Sequence, residues 1–133
     1  MNLFEHHYPG ENPSIREKIH KVNELIAEHE KEIANQLLDY LTNRSDIKLI
    51  GKKTITDKDR APTIAFTMNN KSSKELSSEL VKHGIATRND NFYAWRCLMA
   101  LGIDVEDGVV RTSMVHYNSL EDVEKLINAL KKI

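Results

Sequence analysis

An arginine interrupts the chain's best strand. "VVRTSMVHY" (109–117) is rich in β-branched residues and alternates, so it reads as a strand, with Arg111 inside its apolar run. Alternation puts Val109, Arg111, Ser113, Val115 and Tyr117 on one face, and Val110, Thr112, Met114 and His116 on the other. A guanidinium on a strand face needs solvent or a partner, because an unpaired buried charge is very costly. Two readings are open. One is a sheet-edge Arg paired with a surface Asp or Glu; the other is a clamp that holds a carboxylate bidentately. Arg88 ends the short run "IATR" (85–88) and is expected at the same end of the sheet. A polar loop follows it: Asn89, Asp90 and Asn91, then Phe92 and Tyr93 on the lip. Two arginines beside one polar loop describe an anion-binding edge.

Other candidate groups carry less. His6 and His7 have no Cys or acidic residue at ligand spacing, and residues 1–13, with Pro9, Gly10 and Pro13, read as an extended lead-in. His29 fills a gap in a helical apolar stripe and reads as a half-buried structural histidine. Cys97, the only cysteine, is expected to face helix packing near Leu98 and Leu101. There is no Walker-type loop, no G-x-G-x-x-G and no paired cysteines, so no cofactor-binding or metal residue is assigned within the chain. With 19 basic and 20 acidic residues the net charge is −1, which argues against a nucleic-acid partner. No apolar run is long enough to span a membrane, and the N-terminus lacks the pattern of a secretion signal. A single cysteine fits a reducing cytoplasm.

The elements that would position these groups follow from periodicity and caps. Ser14 with Glu17 opens a helix of about 28 residues whose stripe is Ile15, Ile19, Val22, Ile26, Ile33, Leu37 and Leu41. "DIKLIG" (46–51) and "PTIAFTM" (62–68) read as strands, joined by the charged connector "KKTITDKDRA" (52–61). Ser72 with Glu75 opens a second helix that buries Leu76, Leu80 and Val81 and stops at Gly84. A helix from about Phe92 to Leu101 follows the polar loop, and Asn118 or Ser119 caps a last helix with Val123, Leu126, Ile127 and Leu130 inward. The order α-β-β-α-β-α-β-α predicts an α/β two-layer sandwich. Its small mixed sheet of about four strands carries helices on one face and is preceded by the long helix. Residues 14–133 form this single small domain.

"HGIATR", the polar loop, "LMALGI" and "GVVRTSMVHYNSLEDVEKLINAL" together resemble the C-terminal small domain of class V aminotransferases. The cysteine desulfurase-like and selenocysteine lyase-like branch fits best. The pattern V-R-x-S-x-x-x-Y-N-[ST]-x-E-[ED]-[VI] is met without a gap from Val110 to Val123. The long helix, "LLDYL" and "RAPTIAFTM" agree in order as well, so the resemblance covers residues 14–133. It implies a fold-type I enzyme using pyridoxal 5′-phosphate, in which Arg111 would bind the α-carboxylate of an amino-acid substrate; Arg88 is a substrate-binding candidate by its place at the same end of the sheet. It also places Tyr93 where short-loop desulfurases carry the persulfide cysteine. Cys97 falls four residues later. Tyr93 then either presents its hydroxyl to substrate or only packs. The family's Schiff-base lysine, pyridine-nitrogen aspartate and phosphate loop belong to a large domain that nothing in this sequence resembles. The chain is therefore expected to be a separated small domain, needing a PLP-binding large domain as partner and inactive alone. Self-association into a homo-oligomer through the long helix is a further expectation. Two other readings stand beside this one: a free-standing α/β ligand-binding or protein-interaction module, and a dimerisation module built on the first helix.

Overall fold

The computed structural model describes residues 2–57 and 59–133. Met1 of the lead-in and Lys58 of the connector lie outside them. The elements are α1 (Leu3–His7), α2 (Ile15–Thr42), β1 (Ile47–Ile50), β2 (Thr63–Met68), α3 (Ser73–Lys82), β3 (Arg88–Asp90), α4 (Trp95–Ala100), β4 (Val109–Ser113) and α5 (Leu120–Leu130). The expected extended lead-in instead carries α1. Asn2 caps this helix through the Glu5 N–H, and Phe4 is buried, so an aromatic anchor gives a polar segment something to fold around. Phe4 stacks on Tyr8, and Lys18 and Lys21 of α2 lie over the two rings.

The sheet runs β1-β2-β4-β3, and each pairing is antiparallel. The expected mixed sheet is corrected by one insertion. β2 and β3 do run parallel, but β4 lies between them and runs against both. Ile47 and Leu49 face Met68 and Phe66 across β1–β2, and Phe66 and Ile64 face Val110 and Thr112 across β2–β4. Residues opposite one another in an antiparallel pair share a face. These residues therefore form one face, and α2 and α3 pack on it while α5 packs against both helices. Ile33, Leu37, Leu38 and Leu41 of α2 join Leu76, Leu80, Val123, Leu126 and Leu130 in that core. Val81, expected inside, is 62% exposed, because Leu76 and Leu80 already fill the contact and Ser73 and Ser77 are buried beside them.

Capping boxes start the three long helices: Ser14–Glu17, Ser72–Glu75 and Ser119–Asp122. The Ser14 hydroxyl holds the Glu17 carboxyl below its usual range, and the backbone N–H of Ser72 does the same for Glu75. The core uses only the second half of α2. Ile15 and Ile19 of its first half are 77% and 57% exposed. His29 is half-buried, and its Nε2 lies 2.8 Å from the Asn118 carbonyl, as the structural reading requires. The connector between β1 and β2 is pinned by Asn35. Its side-chain oxygen accepts the Ile55 N–H at 2.7 Å, its amide donates to the Ile55 carbonyl at 3.0 Å, and Ile55 is thereby held in the core.

Candidate active-site wall

Two strand ends depart from the sequence reading, and both departures shape the site. β4 stops at Ser113 instead of continuing to Tyr117. Its partner β2 begins at Thr63, and the last bond runs from the Met114 N–H to the carbonyl of Pro62, which has no N–H to return. β3 begins at Arg88 instead of Ile85. Gly84 turns the chain left-handed, and the Ile85 N–H is held by the Leu80 carbonyl at the end of α3. Asn89 and Asp90 are therefore strand residues opposite Val110 and Val109, and the loop proper starts at Asn91.

The pairing sets Arg88 directly opposite Arg111 on the face away from α2 and α3. Ala65 flanks Arg111 on the other side and leaves room above the strand. Arg111 is half-buried, and its Cζ lies 4.1 Å from the centroid of the Phe92 ring. Neither arginine has an ion pair or side-chain hydrogen bond among the described residues. The nearby carboxylates are turned to backbone donors. Asp90 accepts the Asn91 N–H at 2.7 Å, Asp104 accepts the Glu106 N–H at 3.0 Å, and Asp107 accepts the Ser73 N–H at 2.8 Å. Two like charges opposite one another without compensation are unfavourable, and both point to the open side of the sheet.

Phe92 and Tyr93 hold φ angles of 51° and 60°, so both are left-handed. Each such non-glycine residue costs about 1–3 kcal/mol. Asn91 enforces the turn. Its side chain donates to the Val105 carbonyl at 3.2 Å and accepts the Tyr93 N–H at 3.0 Å, and its own carbonyl accepts the Ala94 N–H at 2.9 Å. Gly108 closes the arrangement from below. Its φ is 72°, and a Cβ there would collide with the Asp90 carbonyl group and the Asn91 nitrogen. The two left-handed residues move the start of the next helix from the expected Phe92 to Trp95. They also throw Tyr93 outward, where it is 97% exposed.

α4 is too short to bury two sides. Leu98 is its buried residue, while Trp95, Met99 and the following Leu101 are exposed by 46%, 59% and 42%. Cys97 is exposed as well, which corrects the expectation that it packs with Leu98 and Leu101. One residue from Leu98 on a helix is a turn of about 100°, and that direction here is solvent. The Lys48 ammonium of β1 donates to the Leu101 carbonyl at 2.7 Å and tethers the end of α4 on the open side. Together Arg88, Arg111, Phe92 and Tyr93 form a cationic floor with an aromatic lip. Sequence patterning expects Arg111 and Arg88 at one end of the sheet, and the pairing sets them opposite each other. Patterning did not show Gly108, nor the approach of the Phe92 ring to Arg111, since both depend on left-handed backbone. His6 and His7 belong to no metal-ligating cluster among the described residues.

The family model for class V aminotransferases matches residues 18–126. An aminotransferase-like protein of Gibberella zeae, FGM3, is 38% identical over 130 residues, 95% of this chain and 30% of its own length. A cysteine desulfurase of Shigella flexneri is 28% identical over 81% of this chain and 25% of its own length. The crystal structure of the Escherichia coli cysteine desulfurase CsdA superposes with a TM-score of 0.66 at 25% identity, over 79% of this chain and 24% of that one. The apo cysteine desulfurase of Thermococcus onnurineus shares the fold with a TM-score of 0.72 at 23% identity, over 86% of this chain and 28% of that one. The chain thus spans less than a third of the length of each of these proteins. A match over most of its residues, on a cysteine desulfurase-like fold, makes the chain a member of the class V aminotransferase family, whose enzymes depend on pyridoxal 5′-phosphate.

Proposed function

We propose that this chain supplies one wall of a pyridoxal phosphate enzyme's active site, with Arg111 as ligand for the α-carboxylate of an amino-acid substrate. The observation that carries the reading is the state of Arg111. Its guanidinium is half-buried on the open face, lies against an aromatic ring and has no carboxylate partner among the described residues. A planar fork backed by a ring keeps its donor edge free, and that edge matches a carboxylate. Arg88 across the strand adds positive potential to the same place. Asp90 and Asn91 form the frame of the site, and Phe92 and Tyr93 its lip, whereas Asn89, opposite Val110, faces α3 and donates to the Ser73 hydroxyl at 3.4 Å.

The face does not by itself fit the cofactor. A Schiff-base lysine needs a desolvated amine. Lys48, the lysine on this face, is exposed and already donates to a carbonyl. Asp90, also on this face, is exposed and accepts the Asn91 N–H through one of its oxygens. The cofactor-bearing wall therefore comes from a large domain. The electron-sink chemistry belongs to the cofactor held there, while this chain binds and orients the substrate. The resemblance implies Tyr93 at the position where short-loop desulfurases carry their cysteine, so the reading does not include persulfide transfer from the loop. A cytoplasmic setting goes with it.

Two measurements test the proposal. In the holoenzyme that this chain completes, Arg111→Ala should weaken amino-acid binding by about 10- to 100-fold, the range for losing hydrogen bonds to a charged group. Unchanged binding would sink the clamp. Pyridoxal phosphate added to this chain alone should leave no lysine adduct after borohydride. A stoichiometric adduct on one lysine would overturn the division between the two walls.

A further inference from the structure

We infer that Phe92 is a positioning residue for Arg111: its ring, fixed by the left-handed turn, holds the guanidinium plane so that the donor edge faces outward from the sheet. Three independent features of the structure converge on this ring. The Arg111 Cζ lies 4.1 Å from its centroid, which is stacking distance for a guanidinium on an aromatic face. The ring has this position because residue 92 adopts φ 51°; a right-handed residue there would begin the helix early and turn its side chain elsewhere. The backbone that imposes this conformation is fixed on both sides, by the Asn91 side chain bridging the Val105 carbonyl and the Tyr93 N–H, and by the close approach of Gly108 to Asp90 and Asn91.

Without the ring, Arg111 would have few ways to hold its direction. Its cross-strand neighbours are Ala65, which is small, and Arg88, which repels it. Asp90 lies diagonally across the strand pair, but its Oδ1 accepts the Asn91 N–H and it makes no ion pair with Arg111 among the described residues. A ring below the plane orients the guanidinium without using any of its five N–H donors, whereas an acidic partner would consume two of them. The chain spends an unfavourable backbone conformation on an aromatic residue whose side chain serves Arg111. Phe92 acts through Arg111, so its functional meaning rests on the proposed role of that arginine.

The test uses this chain with side-chain 15N relaxation at the Arg111 Nε, and acetate as the carboxylate probe. In the unsubstituted protein the Nε–H should be ordered like the backbone, with an order parameter of about 0.85. Phe92→Leu keeps an apolar side chain but removes the π face. It should drop the order parameter below about 0.6 and weaken acetate binding several-fold, with the backbone spectrum otherwise kept. Phe92→Tyr should restore both values, which a loss of general packing would not allow. An Arg111 that is mobile in the unsubstituted protein, or equally ordered in Phe92→Leu, overturns the inference. An ordered, ring-dependent Arg111 that acetate does not perturb keeps the inference and instead rejects the carboxylate role of Arg111.

Discussion

The two faces of the sheet are built from alternate residues of the same four strands, yet they are finished to different degrees. On one, Ile64, Phe66 and Val110 are fully buried beneath the helices. On the other, the same strands present Lys48, Thr63, Arg88, Arg111 and Ser113, with only α4 tethered at its side. The closed face is mostly apolar, and its buried Thr112 hydroxyl donates to the Ile64 carbonyl at 3.3 Å. The open face carries a like-charged arginine pair and two left-handed non-glycine residues. Local cost of this kind is what supports the proposed reading of the open face as a site.

Substitutions can break that comparison. Phe66→Ala on the closed face should cost about 3–5 kcal/mol of unfolding free energy, read from denaturant titration. Arg111→Ala on the open face should cost less than about 1 kcal/mol. Equal losses would mean that both faces serve stability. Gly108→Ala should be intermediate, at least about 1–2 kcal/mol, because the new Cβ meets the Asp90 carbonyl and φ stays at 72°. Amide exchange at Asn91–Ala94 should speed up with it; an unchanged loop would show that Gly108 does not brace the turn. The smallest effect sharpens the contrast most. Arg88→Glu places opposite charges across the β3–β4 pair and should stabilise the fold by about 0.2–1 kcal/mol. A loss of stability would show that the arginine pair imposes no standing cost.

Much of the closed face was legible in sequence, and the reason is local. Ser14, Ser72 and Ser119 each stand three residues before a carboxylate that completes a capping box, and the helices start there. The alternation of Ile64, Phe66 and Met68 gave the buried face of β2 directly. The boundaries near the site were less legible, because distant residues set them. Pro62 ends β4, and Gly108 shapes a turn 16 residues before it in sequence. Cys97 is exposed where the apolar residues around it predict packing, because α4 turns Leu98 inward and Cys97 to solvent. Arg111 itself was legible as an anomaly: a charge where the strand pattern asks for a methyl group. The ring beneath it was not, since nothing in "NFY" announces two consecutive left-handed residues.

The first half of α2 has a mechanical consequence. Eighteen residues separate Ile15 from Ile33, where full burial begins, and at 1.5 Å per residue that is an arm of about 27 Å. A swing of about 5° around the buried half carries the tip by about 2.4 Å, close to the radius of the helix backbone. The buried half lies against β1 and β2, whose strands continue the floor on which Arg111 stands. Whatever grips the tip of this arm thus has leverage on the whole sheet: small forces at Ile15 become torques at its root.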